Sequence, residues 1–218
     1  MNIKQKTVIG WTAGLSIVYA ITRYHFFKGV PFQQFFPEIL NKGLSLAAIL
    51  LISLSLSVGP LSRQFPDKFN NLLLGKRLFG LWGFVFAFLH SLVSIHFYKP
   101  DHYPKFFSLE HLNVLGKFVL YFGVVSLILL SIAFMVSFPK KLNVRPIIFQ
   151  RSQFIGFVGL IIGGAHVIPI GAQGWFHPYS WPGYLIPITL ISFMAVLIPI
   201  ICRILFNSII YNSSKNMT

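Results

Sequence analysis

Acidic residues are almost missing from this sequence. There are four among 218, against 18 lysines and arginines. All four (Glu38, Asp67, Asp101 and Glu110) fall between apolar blocks, so no carboxylate stands inside a hydrophobic stretch. A transporter usually shows such intramembrane acids, broken helices or repeated halves, and none is visible here. Charged residues amount to only 10%, while 55% are hydrophobic and 17% aromatic, which excludes a soluble domain. The single cysteine, Cys202, lies in the last apolar block. It excludes an internal disulfide, reads as a core residue and carries no information about compartment. A dinucleotide-binding fingerprint is also lacking. The run GLIIGGAH, Gly159 to His166, is buried in an apolar block and does not follow a strand. The chain is therefore not expected to take hydride from a nicotinamide nucleotide itself.

What is present is a series of apolar blocks long enough to cross a bilayer. The expected fold is an all-α integral membrane protein, a bundle of six transmembrane helices over residues 1–206, with a short polar tail over 207–218. The spans are placed at about Thr7–Thr22, Leu44–Pro60, Leu78–Phe97, Asn113–Phe138, Phe154–Gly171 and Leu185–Phe206. The basic, apolar N-terminus lacks a small-x-small cleavage site, so it reads as a first span that is kept. Gly10 and Gly14 form a GxxxG pair suited to close helix contact. The net charge of +14 does not point to nucleic acid, because the basic residues sit between the blocks. With the N-terminus inside, twelve of the 18 lysines and arginines fall on the cytoplasmic side and six outside. By the positive-inside rule both termini are cytoplasmic. The third and fifth spans then run in the same outward direction.

Those two spans repeat one pattern. Gly83, Ala87 and His90 stand at spacings of four and three, and Gly159, Gly163 and His166 repeat them. Such positions share one helix face, so each helix would offer an imidazole with a trough of small residues behind it. His90 is thirteen residues past Arg77 and His166 fifteen past Arg151, or roughly 20 and 22 Å of helical rise. Both histidines are expected at similar depth in the outer half of the bilayer, facing each other across a slot. Neutral imidazole is an axial ligand of haem iron, and two of them leave no open iron site, which suits electron transfer. His96, six residues beyond His90, points to another part of the helix and ranks lower as a ligand. Taken singly, each histidine reads more readily as a hydrogen-bonded core residue, and each small-residue pattern as plain helix packing; the matched depth, direction and small positions together favour ligation.

The stretch Asn41 to Tyr98 resembles the ferric reductase-like transmembrane domain, chiefly in LSLSVGPLSR (Leu54 to Arg63) and KRLFGLWGFVFAFLH (Lys76 to His90). That family includes the haem subunit of the bacterial methionine sulfoxide reductase system, the NADPH oxidases and the STEAP metalloreductases. The resemblance implies a six-helix bundle with b-type haem between the third and fifth spans, held by His90 and His166, that passes electrons across the membrane. Two-haem members carry further histidines about four turns inward. Here those positions are Lys76 and Arg77 on one helix and Ser152 and Gln153 on the other, so one haem b, in the outer half, is expected.

A haem confined to the outer half leaves the inner half to a flavin or a quinone; STEAP-like members use flavin there. The inner loop Phe138 to Arg151 holds four cations and no acid. It suits a flavin phosphate, or more simply lipid headgroups as a topology signal. The expected donor is a cytoplasmic flavin reductase or the quinone pool, and the expected acceptor a metal ion or an extracytoplasmic protein. On the outside, Tyr98 to His111 carries His102, His111, Asp101 and Glu110, in a spacing that matches no standard metal motif. Trp175, Tyr179 and Trp181 read as an interfacial belt. The expected setting is the lipid bilayer of a prokaryotic inner membrane. The competing reading is a haem-free transporter or assembly scaffold that uses the histidines for hydrogen bonds and the glycines for packing.

Overall fold

The computed structural model describes residues 3–137 and 146–215. The long helices are α1 (Ile3–Ala20), α2 (Asn41–Gln64), α4 (Lys76–Phe97), α5 (Val114–Ser137), α6 (Pro146–Trp175) and α7 (Ile188–Lys215), with a short α3 (Pro66–Leu73) between α2 and α4. Two residue pairs of strand, Phe107–Ser108 and His111–Leu112, form a small hairpin between α4 and α5.

Among the described residues, five segments are long and apolar enough to cross a membrane: Phe32–Gln64, Lys76–Phe97, Val114–Ser137, Arg151–Trp175 and Pro182–Phe206. α1 is not among them. It continues as a π-helix over Ile21–Phe27, where Arg23, His25 and Lys28 follow its apolar part. The second span begins earlier than its sequence suggests. Pro37 to Lys42 is no break, because a π-helical turn, Phe35–Leu40, runs straight into α2. α2 also passes through Pro60 to Gln64. α7 stays helical to Lys215, through the stretch expected to be a polar tail. The basic inner loop falls mostly on residues 138–145, outside the described residues.

Helix directions follow from side-chain contacts. Asn41 of α2 meets His90 and Ser94 of α4, while Ser55, further along α2, meets Lys76 at the start of α4. α2 and α4 are antiparallel. Likewise Val119 of α5 meets His166 of α6, and Ser126 meets Gly159. Tyr98 reaches Gly116 near one end of α5, and Phe84 stacks on Phe134 near the other. α4 and α6 are both antiparallel to α5, and so parallel to each other. They do not pack along one another; α4 lies along α2, and α6 along α5 and α7.

Glycine sets these distances. A Cβ at Gly83 would lie 2.6 Å from Ile52 Cγ1, 3.0 Å from the Ile52 amide nitrogen and 3.2 Å from the Ala48 carbonyl oxygen. A Cβ at Gly159 would meet Leu129 and Leu130 at 3.2 Å, and one at Gly163 would meet Ser126 Oγ at 3.0 Å. These glycines let α2 and α5 approach the histidine helices. Gly10 and Gly14 have nothing within 4 Å, so the GxxxG pair of α1 makes no helix contact among the described residues. Below the histidines, Ile52, Leu56, Leu130, Leu160 and Val196 form a buried apolar cluster against which Phe84 and Phe157 pack.

The contrast gives a direct test. Gly83→Ala is expected to cost about 1–3 kcal/mol, because the nearest atoms include backbone that cannot yield. Gly10→Ala should be neutral or slightly stabilising, since alanine favours helix and meets no neighbour. Thermal unfolding in detergent, followed by tryptophan fluorescence, separates the two. Equal midpoints for both variants would refute the packing role of Gly83.

Candidate functional site

His90 and His166 lie at the same end of the bundle, where α2 and α5 begin. His90 projects from α4 against the first residue of α2. Its Nδ1 lies 2.7 Å from Asn41 Oδ1 and 3.1 Å from the Asn41 carbonyl oxygen. His166 projects from α6 against the second turn of α5, with Nδ1 2.7 Å from the Val119 carbonyl oxygen. A carbonyl oxygen only accepts, so each Nδ1 carries the proton and donates. Each Nε2 therefore keeps its lone pair. Among the described residues neither Nε2 takes part in a hydrogen bond. Both rings are half-buried.

This is the tautomer of a metal-ligating histidine, whose far nitrogen is pinned to fix ring orientation and to raise basicity. A haem iron bound by two imidazoles fits the donor set. The packed apolar cluster of Ile52, Leu130 and Leu160 lies about two helical turns from the rings, opposite Gly83 and Gly159, and keeps charge away from that part of the bundle.

The small residues behind the histidines do something other than line a trough. Gly83 faces α2, and Gly159 and Gly163 face α5, so they are helix-packing positions that hold each histidine helix against its hydrogen-bonding neighbour. Ala87 is half-buried, and its carbonyl accepts from Ser91 Oγ. A fourth glycine, Gly123 on α5, matters more directly. A Cβ there would lie 3.3 Å from His166 Cε1 and Nδ1, so the ring rests on that glycine. Nothing in the spacing of α6 pointed to it.

Asn41 is the partner of His90 that periodicity missed. It is 4% exposed. Its Nδ2 donates to Ser94 Oγ at 3.0 Å and to the Tyr103 hydroxyl at 3.2 Å, and Tyr103 donates to the Pro37 carbonyl at 3.0 Å. A polar chain thus joins His90 to the loop after α4. A lone asparagine in the first turn of an apolar helix, opposite an intramembrane histidine, was the available signal. His96 is exposed and sits edge-on to Phe97. No cluster of three metal-binding side chains forms among the described residues.

The opposite end of the same two helices is cationic. Lys76 Nζ donates to Gln153 Oε1 at 3.0 Å, linking the first turn of α4 to α6. Lys76 also feels the charges of Arg63 and Arg203, and the Arg203 guanidinium sits 3.8 Å from the centre of the Phe157 ring. Lys42 with Glu38 forms the ion pair found among the described residues, and it lies at the histidine end.

No family model matches the chain. It is similar to Metalloreductase STEAP2 of Mus musculus, 28% identical over 205 residues, which cover 76% of this chain and 42% of that protein. STEAP2 of Homo sapiens is 28% identical over 189 residues, covering 71% and 38%. Metalloreductase STEAP3 of Rattus norvegicus is 26% identical over 179 residues, covering 74% and 36%. The chain thus spans about two fifths of the length of the curated relatives it matches. These relatives are STEAP metalloreductases at 26–28% identity.

The loop end of the polar chain is testable by pH. Burial raises the Tyr103 phenol above its usual 10.0; the Asn41 hydrogen bond opposes this and the Glu38 charge adds to it. Tyr98 is pushed up to about 12, by burial first and by Tyr103 second. A raised folded pKa gives stability that is complete below the unfolded value near 10 and is lost as pH rises through the folded value. Tyr103→Phe is expected to cost about 1 kcal/mol at neutral pH, since Asn41 loses a partner. The same variant should flatten the alkaline loss of stability. Thermal midpoints taken across that alkaline range check both effects; an unchanged alkaline slope would show that Tyr103 stays protonated for another reason.

Proposed function

We propose that this chain is a haem b-binding electron-transfer subunit of a membrane oxidoreductase, related to the transmembrane part of the STEAP metalloreductases. The observation that carries the reading is the pair His90 and His166. They stand at one end of two parallel helices, each with Nδ1 donating to a carbonyl oxygen and Nε2 left with its lone pair. These two residues would hold the haem iron. When bound, the haem supplies reversible one-electron chemistry without an open coordination site. The protein's part is to fix both imidazoles, to exclude water with the cluster around Phe84 and Leu160, and to set the ligands' basicity.

In the bilayer, the histidine end faces outward and the Lys76 end faces the cytoplasm, as the distribution of lysine and arginine favours. α1 is taken as the sixth span, with both termini cytoplasmic. One haem is bound rather than two. At the inner level, Lys76 and Gln153 hydrogen-bond to each other where a second ligand pair would stand. Lys76, Arg63 and Arg203 lack a carboxylate partner among the described residues, which supports a phosphate-bearing flavin at that end over a neutral quinone. Electrons come from a cytoplasmic flavin reductase or a quinol. They leave to a metal ion, as the relatives' name metalloreductase suggests, or to an extracytoplasmic partner protein.

Detergent-purified protein, expressed with ample haem supply, is expected to show low-spin b-type bands on dithionite reduction at about one haem per chain. His90→Ala and His166→Ala should each lose those bands while keeping helical content. Two haems per chain would overturn the single-site reading. A haem-free protein would sink the electron-transfer proposal and favour the transporter or scaffold. For the inner end, riboflavin phosphate titrated by fluorescence quenching should bind about tenfold more weakly to Lys76→Met, a loss of ~1.4 kcal/mol. Equal affinity would remove Lys76 from that site.

A further inference from the structure

The two histidines are held by unlike partners. His166 donates to the Val119 carbonyl at 2.7 Å, a main-chain group that no substitution removes. His90 donates to a side chain. Asn41 Oδ1, at 2.7 Å, is the nearer acceptor, and the Asn41 carbonyl at 3.1 Å is the farther one. The Asn41 amide is itself polarised from behind. Its Nδ2 gives hydrogen bonds to Ser94 Oγ at 3.0 Å and to the Tyr103 hydroxyl at 3.2 Å, while Ser94 Oγ also lies 3.4 Å from Oδ1 as a longer, competing donor. Tyr103 is anchored in turn on the Pro37 carbonyl at 3.0 Å. Donation from the amide nitrogen raises the electron density on Oδ1, and chains of this kind strengthen one another in a low dielectric.

We propose that Asn41 is a positioning residue that sets the electron-donor strength of His90, with Ser94 and Tyr103 adjusting it from α4 and the outer loop; this rests on the haem reading above. An imidazole whose Nδ1–H is given to a strong acceptor gains imidazolate character and becomes a better donor at Nε2. A better donor favours ferric over ferrous iron and lowers the midpoint potential. The bundle therefore holds one axial ligand fixed by main chain and one adjustable through a side chain. The adjustable ligand is the one whose hydrogen-bond chain reaches the outer loop, so a partner that moves Tyr103 would shift the potential of the site.

The test uses the intact haem-loaded chain in detergent, with the midpoint potential read by spectroelectrochemistry and the ferric signal by electron paramagnetic resonance. Asn41→Leu keeps the volume and removes Oδ1, so the potential should rise and the g-anisotropy should change. Asn41→Asp, followed from about pH 6 to about pH 10 so that the buried carboxyl passes into its ionised form, offers a stronger acceptor once ionised and should lower the potential. Tyr103→Phe leaves His90 its acceptor and should raise the potential by a smaller step, and Ser94→Ala, which removes both an acceptor for Nδ2 and a weaker donor to Oδ1, should raise it less still. They also serve if the Asn41 variants do not fold. Opposite shifts for Leu and Asp support the proposal. Shifts of the same sign would mark general loosening of the site and overturn it. Retained haem with an unmoved potential in all four variants would overturn it while leaving the haem reading intact. A wild-type chain that binds no haem would overturn both.

Discussion

A neutral imidazole inside a membrane carries one N–H that cannot be left without a partner. The architecture depends on how that requirement is met twice. The histidine's own helix offers no convenient acceptor, because the carbonyls beside it point along the helix axis to their own partners. The acceptors for His90 and His166 come instead from neighbouring helices: the Asn41 side chain in the first turn of α2, and the second lone pair of the Val119 carbonyl in the second turn of α5. An antiparallel neighbour brings its first two turns to the last part of the histidine helix. Hence α2 pairs with α4 and α5 with α6, and the two histidines end up at one end of the bundle. The requirement also fixes which nitrogen is protonated, and so which one remains to bind a metal.

Close approach is the second constraint, and it serves the first. The His166 Nδ1–H reaches a main-chain oxygen on α5 only if the two backbones lie near each other. Gly123, Gly159 and Gly163 together make that possible, with Ser126 Oγ donating to the Gly159 carbonyl at 2.8 Å across the same interface. Gly83 does the same for α4 against α2, and Gly80 supports it, since a Cβ there would lie 3.0 Å from Ser55 Oγ. Interfaces of this kind gain from van der Waals contact and interhelical hydrogen bonds, because lipid offers no hydrophobic drive between helices.

The sequence revealed the long helices, and marked His90 and His166 as candidates, because both signals are local. Length of apolar run marks a span, and a repeated spacing marks a face. It did not reveal what the small residues touch. Spacing puts Gly159 and Gly163 on a face near that of His166, but it cannot say whether α5 or a ligand lies opposite. They turned out to pack on α5. Asn41 escaped notice because its role depends on a residue 49 positions away, and because Pro37 to Lys42 looked like a loop. A proline early in a helical segment breaks little, since the first turn has no internal acceptor for its missing N–H. The Gly10 and Gly14 pair shows the reverse error, for a motif that suits contact makes none among the described residues. The basic inner loop, read from its charge alone, lies mostly outside those residues.

The two ends of the histidine helices differ in kind, and the difference bears on direction. One end has neutral imidazole donors, a polar chain to the surface and an ion pair between Lys42 and Glu38, with Arg23, Lys28 and Lys42 gathered about the Tyr24 ring. The other has Lys76 hydrogen-bonded to an amide, Arg203 resting on an aromatic face and Arg63 nearby, with no carboxylate partner among the described residues. Uncompensated cations at a membrane-embedded helix end favour an anion there, and raise the affinity for an electron on any acceptor placed beside them. The apolar cluster between the ends has no charge of its own. On the proposed reading, the fold therefore does not by itself drive electrons outward, because its cations favour the reduced form of an inner cofactor. The outward step must come from a higher potential at the histidine end. Asn41 then acts as a restraint on that potential, and weakening its hydrogen bond to His90 is the physical means by which the outer loop would strengthen the pull.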